Sequence, residues 1–167
     1  MPQELNEKNY RKRTKTPEQA LERLMALAAR AEKSSGDALR LMRGWGVEPA
    51  AQQDVLHKLT EQRFIDDERY SAAFVREKSR LNGWGAYKIR SALSAKGIKR
   101  EVIERALEQV DSAGAQERLE KMLRTRAARL TGTPYEIKGK LVRYGASLGY
   151  DYETVIDQVD RIVKSGG

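Results

Sequence analysis

The sequence contains no cysteine. Disulfides, thiolate metal sites and cysteine nucleophiles are therefore excluded. It has a single histidine, His57, set between Leu56 and Lys58 with Leu59 behind it, which removes any histidine-built metal site and reads as a structural or surface residue. No stretch reaches the ~18–20 uninterrupted apolar residues of a membrane span. The opening Met-Pro-Gln-Glu-Leu-Asn-Glu has no apolar signal-peptide segment. β-Branched runs alternating with period two are also missing, so strands are not expected. These absences predict an all-α cytoplasmic protein with no membrane segment, no cofactor, no metal and no catalytic residues.

What the chain has instead is charge, unevenly placed. Its 167 residues carry 32 Lys and Arg against 24 Asp and Glu, net +8, with a pI near 9.7. Between Arg76 and Arg143 stand 17 basic and 8 acidic residues, net +9, while the rest of the chain is net −1. A basic middle between near-neutral flanks suits either a polyanion-binding face or a set of solvated helix faces.

Residues 1–16 read as a flexible basic arm, with Lys8, Arg11, Lys12, Arg13 and Lys15 against Glu4 and Glu7. Thr16-Pro17-Glu18-Gln19 is a helix start: threonine at N-cap, proline at N1, glutamine at N3. Leu21, Leu24, Met25 and Ala28 then recur at helical spacing. Tyr70, Ala73, Phe74 and Leu81 form a second such stripe, and Leu119, Met122, Leu123 and Leu130 a third. A Gly- or Ser-bearing break follows each.

After each break comes an apolar residue, another four later and a glycine four after that: Ala38-Met42-Gly46, Ile89-Leu93-Gly97 and Ile137-Leu141-Gly145. The offsets are 51 and 48 residues. The glycines are placed to end helices in the left-handed region. A third helix follows in each unit, around Val55 and Leu59, Ile103 and Ala106, and Val155, Val159 and Ile162. The chain thus reads as three tandem three-helix repeats at 17–65, 66–111 and 112–165. Units so small need their neighbours to complete a core, which predicts stacking into an elongated, curved body.

One segment is more specific than the rest. Phe64-Ile65-Asp66-Asp67-Glu68-Arg69-Tyr70, Ala73-Phe74-Val75, Gly83-Trp84-Gly85, Ile89, Leu93 and Lys96-Gly97-Ile98 resemble, in order and spacing, the middle repeat of the RecX family of recombination regulators. The flanking repeats fit that family more loosely, with Ala38 where a larger apolar residue is expected. The repeat phase predicts a monomer, and the resemblance implies a non-enzymatic protein of tandem three-helix repeats. It further implies binding to the RecA recombinase filament on single-stranded DNA, within the filament groove. Inhibition of the filament's recombinase, ATPase and co-protease activities, in DNA repair and the SOS response, would follow.

Single features carry competing readings. Asp66-Asp67-Glu68 suggests a metal-dependent nuclease, but no second acidic cluster stands ready to converge on it; acids complementing a helix N-terminus explain it more simply. Trp84, between two glycines, either covers the core or stacks on a partner. The basic residues carry the main functional reading: Arg76, Lys78, Arg80, Lys88, Arg90, Lys96, Lys99 and Arg100 in the middle repeat, and Arg124, Arg126, Arg129, Lys138, Lys140 and Arg143 in the third. Arg76 and Arg124, and Lys78 and Arg126, share the 48-residue offset, as members of a stripe would. The stripe suits phosphates of single- or double-stranded DNA or an acidic recombinase surface. No base-reading motif accompanies it, so sequence-specific recognition is not expected. A general DNA-binding helical protein is the alternative.

Overall fold

The computed structural model describes residues 14–166, and among them are nine α-helices and no strand. In chain order these are α1 (Pro17–Arg30), α2 (Ser35–Gly44), α3 (Pro49–Glu61), α4 (Asp67–Arg80), α5 (Ala86–Ala95), α6 (Arg100–Leu107), α7 (Ser112–Ala127), α8 (Pro134–Ser147) and α9 (Tyr152–Ser165). Their starts follow from local chemistry. Thr16 Oγ1 accepts from the Gln19 amide at 3.2 Å while Gln19 Oε1 accepts from the Thr16 amide at 3.0 Å, so two donors at the head of α1 are satisfied at once. Ser34 with Asp37, and Thr133 with Glu136, close the same box at α2 and α8. Asp111 and Asp151 cap α7 and α9.

The chain packs as two compact units. One holds the described residues up to Tyr70 together with Lys96–Ile98, and the other holds Ser71–Ala95 and the described residues from Lys99 onward. In the first, α1 and α2 pack on α3 around Leu24, Met42, Leu59 and Ile65, with Ala38 fully enclosed. The alanine therefore holds the inward phase that its place in the repeat predicts. In the second unit α5 packs on α6, and Ile89, Leu93, Ile103 and Ala106 of these helices are buried. There α7, α8 and α9 also enclose Leu119, Leu123, Leu141, Val155 and Val159.

Two sequence expectations need correction. Leu81 does not extend the stripe of Tyr70, Ala73 and Phe74; it lies just past α4 and is 82% exposed. The buried line of that helix is Ser71, Val75 and Ser79, two of them too small and polar to register as an apolar stripe. Gly145 does not end a helix. It sits inside α8, where an added Cβ would lie 2.6 Å from Val155 Cγ1, so its lack of a side chain admits α9. The left-handed residue after α8 is Gly149 (φ +94°), whereas Gly46 (φ +72°) and Gly97 (φ +79°) fill the positions expected of them.

Of the arm expected at 1–16, residues 1–13 lie outside the described residues. Lys15, near its end, donates its amide to the Trp45 carbonyl at 3.1 Å and places Nζ 5.2 Å from the centre of the Trp45 ring.

Gly36, in the first turn of α2, lies close against the carbonyl of Lys96. A Cβ at Gly36 would overlap that oxygen, whereas a Cβ at Gly44, at the other end of the helix, would meet nothing within 4 Å. Gly36→Ala is therefore expected to destabilise the protein by roughly 1–3 kcal/mol, the usual penalty for overpacking. Gly44→Ala is expected to stabilise it by up to about 1 kcal/mol through lower unfolded-state entropy. Denaturant unfolding of the two variants checks both signs.

Candidate binding surface

The basic residues divide according to what surrounds them. Of the residues of the expected stripe, four are engaged with carboxylates. Lys96 Nζ lies 2.8 Å from Asp37 Oδ1, Arg90 Nε 2.7 Å from Glu104, Arg124 Nε 3.1 Å from Glu120 and Lys138 Nζ 2.7 Å from Asp160. The Asp37 contact is the most enclosed. Burial alone would raise the Asp37 carboxyl, but hydrogen bonds from Lys96, the Ser34 amide and Arg40 outweigh it and hold the group down at about 2. Lys96 is correspondingly raised above its ordinary value by the hydrogen bond to Asp37.

Two more lie against Trp84. Lys78 Nζ is 5.0 Å and Lys88 Nζ 4.3 Å from the centre of its ring, and Phe74 meets the ring edge-on at 6.2 Å. The Trp84 amide donates to the Lys78 carbonyl at 2.8 Å, and the following Gly85 amide donates to Leu148 at 2.7 Å. Trp84 is half-buried, with its backbone fixed on both sides. Its ring serves packing within the second unit and carries two cations. Lys99 and Arg100 are exposed at the start of α6.

The remaining stripe residues of the third repeat, Arg126, Arg129, Lys140 and Arg143, gather around an aromatic ring. Arg126 on α7 places its guanidinium carbon 4.1 Å from the centre of the Tyr144 ring on α8. On one side of this stack is a groove of about 260 Å³ lined by Lys121, Met122, Thr125 and Arg129. On the other is a groove of about 400 Å³ lined by Leu130, Lys140, Arg143 and Ser147. No acidic side chain lines either groove, and among the described residues none of Lys121, Arg129, Lys140 and Arg143 has a carboxylate within 4 Å. Chemically this is a cationic surface with a half-buried aromatic at its centre, which suits phosphate-bearing strands or acidic side chains. Charge and periodicity in the sequence do not single out Tyr144 or Lys121. A signal is present at Tyr144, an aromatic four residues after Lys140 on one helix face.

The acidic cluster has a structural explanation. Asp66 Oδ1 accepts from the amides of Glu68 at 3.0 Å and Arg69 at 3.1 Å, which caps α4. Asp67 accepts from the Ser35 amide at 2.8 Å and from the Ser35 hydroxyl. Among the described residues no group of three or more His, Cys, Asp or Glu is placed to hold a metal ion. His57 is exposed and lies 3.6 Å from Glu61 one turn on. No described helix is long and apolar enough to cross a membrane.

Known proteins resemble this chain in sequence and in fold. The family model for the second three-helix domain of RecX matches residues 66–107. The regulatory protein RecX of Clostridium botulinum (strain Alaska E43 / Type E3) is 33% identical over 131 residues, covering 77% of this chain and 59% of that protein. The regulatory protein RecX of Mycolicibacterium smegmatis is 36% identical over 110 residues, covering 63% and 58%. The chain thus spans less than two thirds of these curated relatives. In fold, the crystal structure of RecX from Lactobacillus salivarius superposes with a TM-score of 0.77 at 16% identity, covering 87% of this chain and 96% of that one. A second crystal structure, of a regulatory protein RecX, gives 0.73 at 22% identity, covering 89% and 71%. The matched domain is the segment from Asp66 to Leu107 that carries the resemblance in sequence, and the relatives and folds extend it over the flanking helices: the chain belongs to the RecX family.

Proposed function

We propose that this protein binds the RecA recombinase filament on single-stranded DNA as a monomer, without catalysis of its own. Binding lowers the filament's recombinase, ATPase and co-protease activities in the cytoplasm, in DNA repair and the SOS response. The observation that carries this reading is the match of residues 66–107 to the RecX second domain. The acid-free cationic grooves around Tyr144 support it, since a filament presents both phosphates and acidic protein surface. In this reading the repeats at 17–65, 66–111 and 112–165 engage successive recombinase subunits along the groove.

The same grooves support a second reading, a general DNA-binding protein without recombinase specificity. ATP hydrolysis by RecA on single-stranded DNA, followed with and without the protein, separates the two. Inhibition at protein concentrations well below those that coat bare DNA is expected. Inhibition that appears only when the DNA itself is saturated, and that vanishes with excess competitor DNA, would favour the second reading.

A further inference from the structure

The structure contains a smaller and more enclosed cationic pocket, away from the Tyr144 grooves in the residues that line it. The pocket has a volume of about 180 Å³ and is formed by the second half of α4, the turn between α6 and α7, and α7 itself. Val75 and Ser79, both almost fully buried, line it with Gln109, Val110 and Asp111, and so do three arginines: Arg76, Arg80 and Arg118. None of the three has a carboxylate within 4 Å among the described residues. The one acid in the lining, Asp111, is occupied as the cap of α7, accepting from the amides of Ala113 at 3.3 Å and Gly114 at 3.1 Å.

Arg118 adds a second, independent observation. Its Nε is buried and has no hydrogen-bond partner among the described residues, while another part of the guanidinium meets the Tyr150 hydroxyl. A buried N–H of a charged group without an acceptor is costly, and such groups are rare unless something outside the chain completes them. Arginine presents a planar fork of donors that matches a tetrahedral oxyanion, whereas lysine offers only a point charge. All three cations here are arginines.

We propose that this pocket is a phosphate-binding subsite in which Arg118, held from behind by α7, and the exposed Arg76 and Arg80 converge on the oxygens of one phosphate group. Two sources supply that chemistry: an internal phosphodiester of single-stranded nucleic acid, or a terminal phosphomonoester. The inference deepens the proposed function by assigning one phosphate to a particular place, and it rests on that reading only for its biological setting.

The test uses the full chain and watches the side-chain Nε–H resonance of Arg118 by ¹H–¹⁵N NMR. Inorganic phosphate, a dT oligonucleotide with a 5′-hydroxyl and the same oligonucleotide with a 5′-phosphate are titrated separately. Phosphate is expected to shift the Arg118 resonance, and at least one oligonucleotide to shift it at lower concentration. A response to both oligonucleotides alike identifies the diester as the source; a response only to the 5′-phosphorylated strand identifies the monoester. Because Arg118 is partly buried, its loss affects the fold, so affinity is read on the exposed pair. The Arg76→Gln/Arg80→Gln variant is expected to bind the responding oligonucleotide about tenfold more weakly, with a salt slope smaller by about 0.7 for each single-strand phosphate that it no longer neutralises. An Arg118 resonance unmoved by phosphate and by both strands overturns the proposal, as does unchanged affinity in the double variant. Should that variant inhibit RecA filaments less while phosphate and both oligonucleotides leave Arg118 unmoved, the pocket takes a carboxylate of a protein partner instead. The titrations and affinities need no recombinase, so failure of the pocket and failure of the RecA reading are seen separately.

Discussion

Replacing Asp37 by alanine is expected to cost about 3 kcal/mol, the lower end of the range for breaking a buried ion pair by removing one partner. The side chain is 9% exposed and ties several groups together. Its Oδ2 accepts from the Ser34 amide at 3.2 Å, closing the capping box of α2. Its Oδ1 takes Lys96 at 2.8 Å and Arg40 at 2.6 Å. Lys96 is one-third exposed and Arg40 more than half, so water partly compensates the cations once the carboxylate is gone, which keeps the cost from reaching the top of the range. Loss of the capping acceptor adds to it by about 1 kcal/mol at most. Arg40→Ala, which removes only the exposed partner, is expected to cost less than about 1 kcal/mol. Urea unfolding measures the difference, with the midpoint moving and the slope unchanged in both variants.

The same ion pair gives the stability an acid dependence of definite sign. The folded-state carboxyl is held at about 2, below its ordinary 3.8, so the folded chain keeps its charge where the unfolded chain takes up a proton. The contribution is complete above the unfolded value and is lost as pH falls from about 4 toward 2. A depression of that size corresponds to roughly 2 kcal/mol. The gap in stability between the parent and Asp37→Ala should therefore narrow by about that amount across this window. Lys96 acts at the other end. Its ammonium is raised above its ordinary value, so its share is present below the unfolded pKa and fades as pH climbs through the folded one.

The sequence disclosed the fold where a local signal and a core position coincide. Thr16-Pro17-Glu18-Gln19 forms the box its order implies, and Leu24, Met42, Leu93, Leu119 and Leu141 are fully buried. It misled where packing depends on small residues. Ser71 and Ser79 take the buried line of α4, and hydrophobic periodicity does not register such small polar side chains. Gly145 looks like a helix end in sequence but serves contact with Val155. The basic residues show a different limit. Composition counts cations, but partners come from distant positions: Lys96 finds Asp37 across 59 residues and Lys138 finds Asp160. Arg118 stands in sequence among acids, Glu117 and Glu120, and only the folded chain brings it beside Arg76 and Arg80.

On the proposed function, charge reversal at Arg129, Lys140 and Arg143 together is expected to weaken inhibition of the RecA–single-stranded DNA ATPase at least tenfold at low salt. These residues border the Tyr144 stack on both sides and face no carboxylate within 4 Å among the described residues, so their charge is available to a partner. Arg129 and Arg143 are exposed, as is Lys140, and substitutions at such positions usually change stability by less than about 0.5 kcal/mol. Arg126 is left in place because its stacking on Tyr144 contributes to packing as well as charge. If all three residues meet phosphates of a single strand, the salt slope of inhibition should fall by about 2, at roughly 0.7 for each phosphate. If they meet acidic recombinase surface instead, affinity falls while the dependence on DNA length stays as in the parent. The comparison variant reverses Arg124 and Lys138, whose charges are already met by Glu120 and Asp160. It should inhibit more nearly like the parent, because paired charges offer a partner less net attraction. Equal inhibition by the triple variant and the parent at two salt concentrations would remove the Tyr144 grooves from the interface. Equal weakening in the two variants would show that net charge, and not these grooves, governs binding.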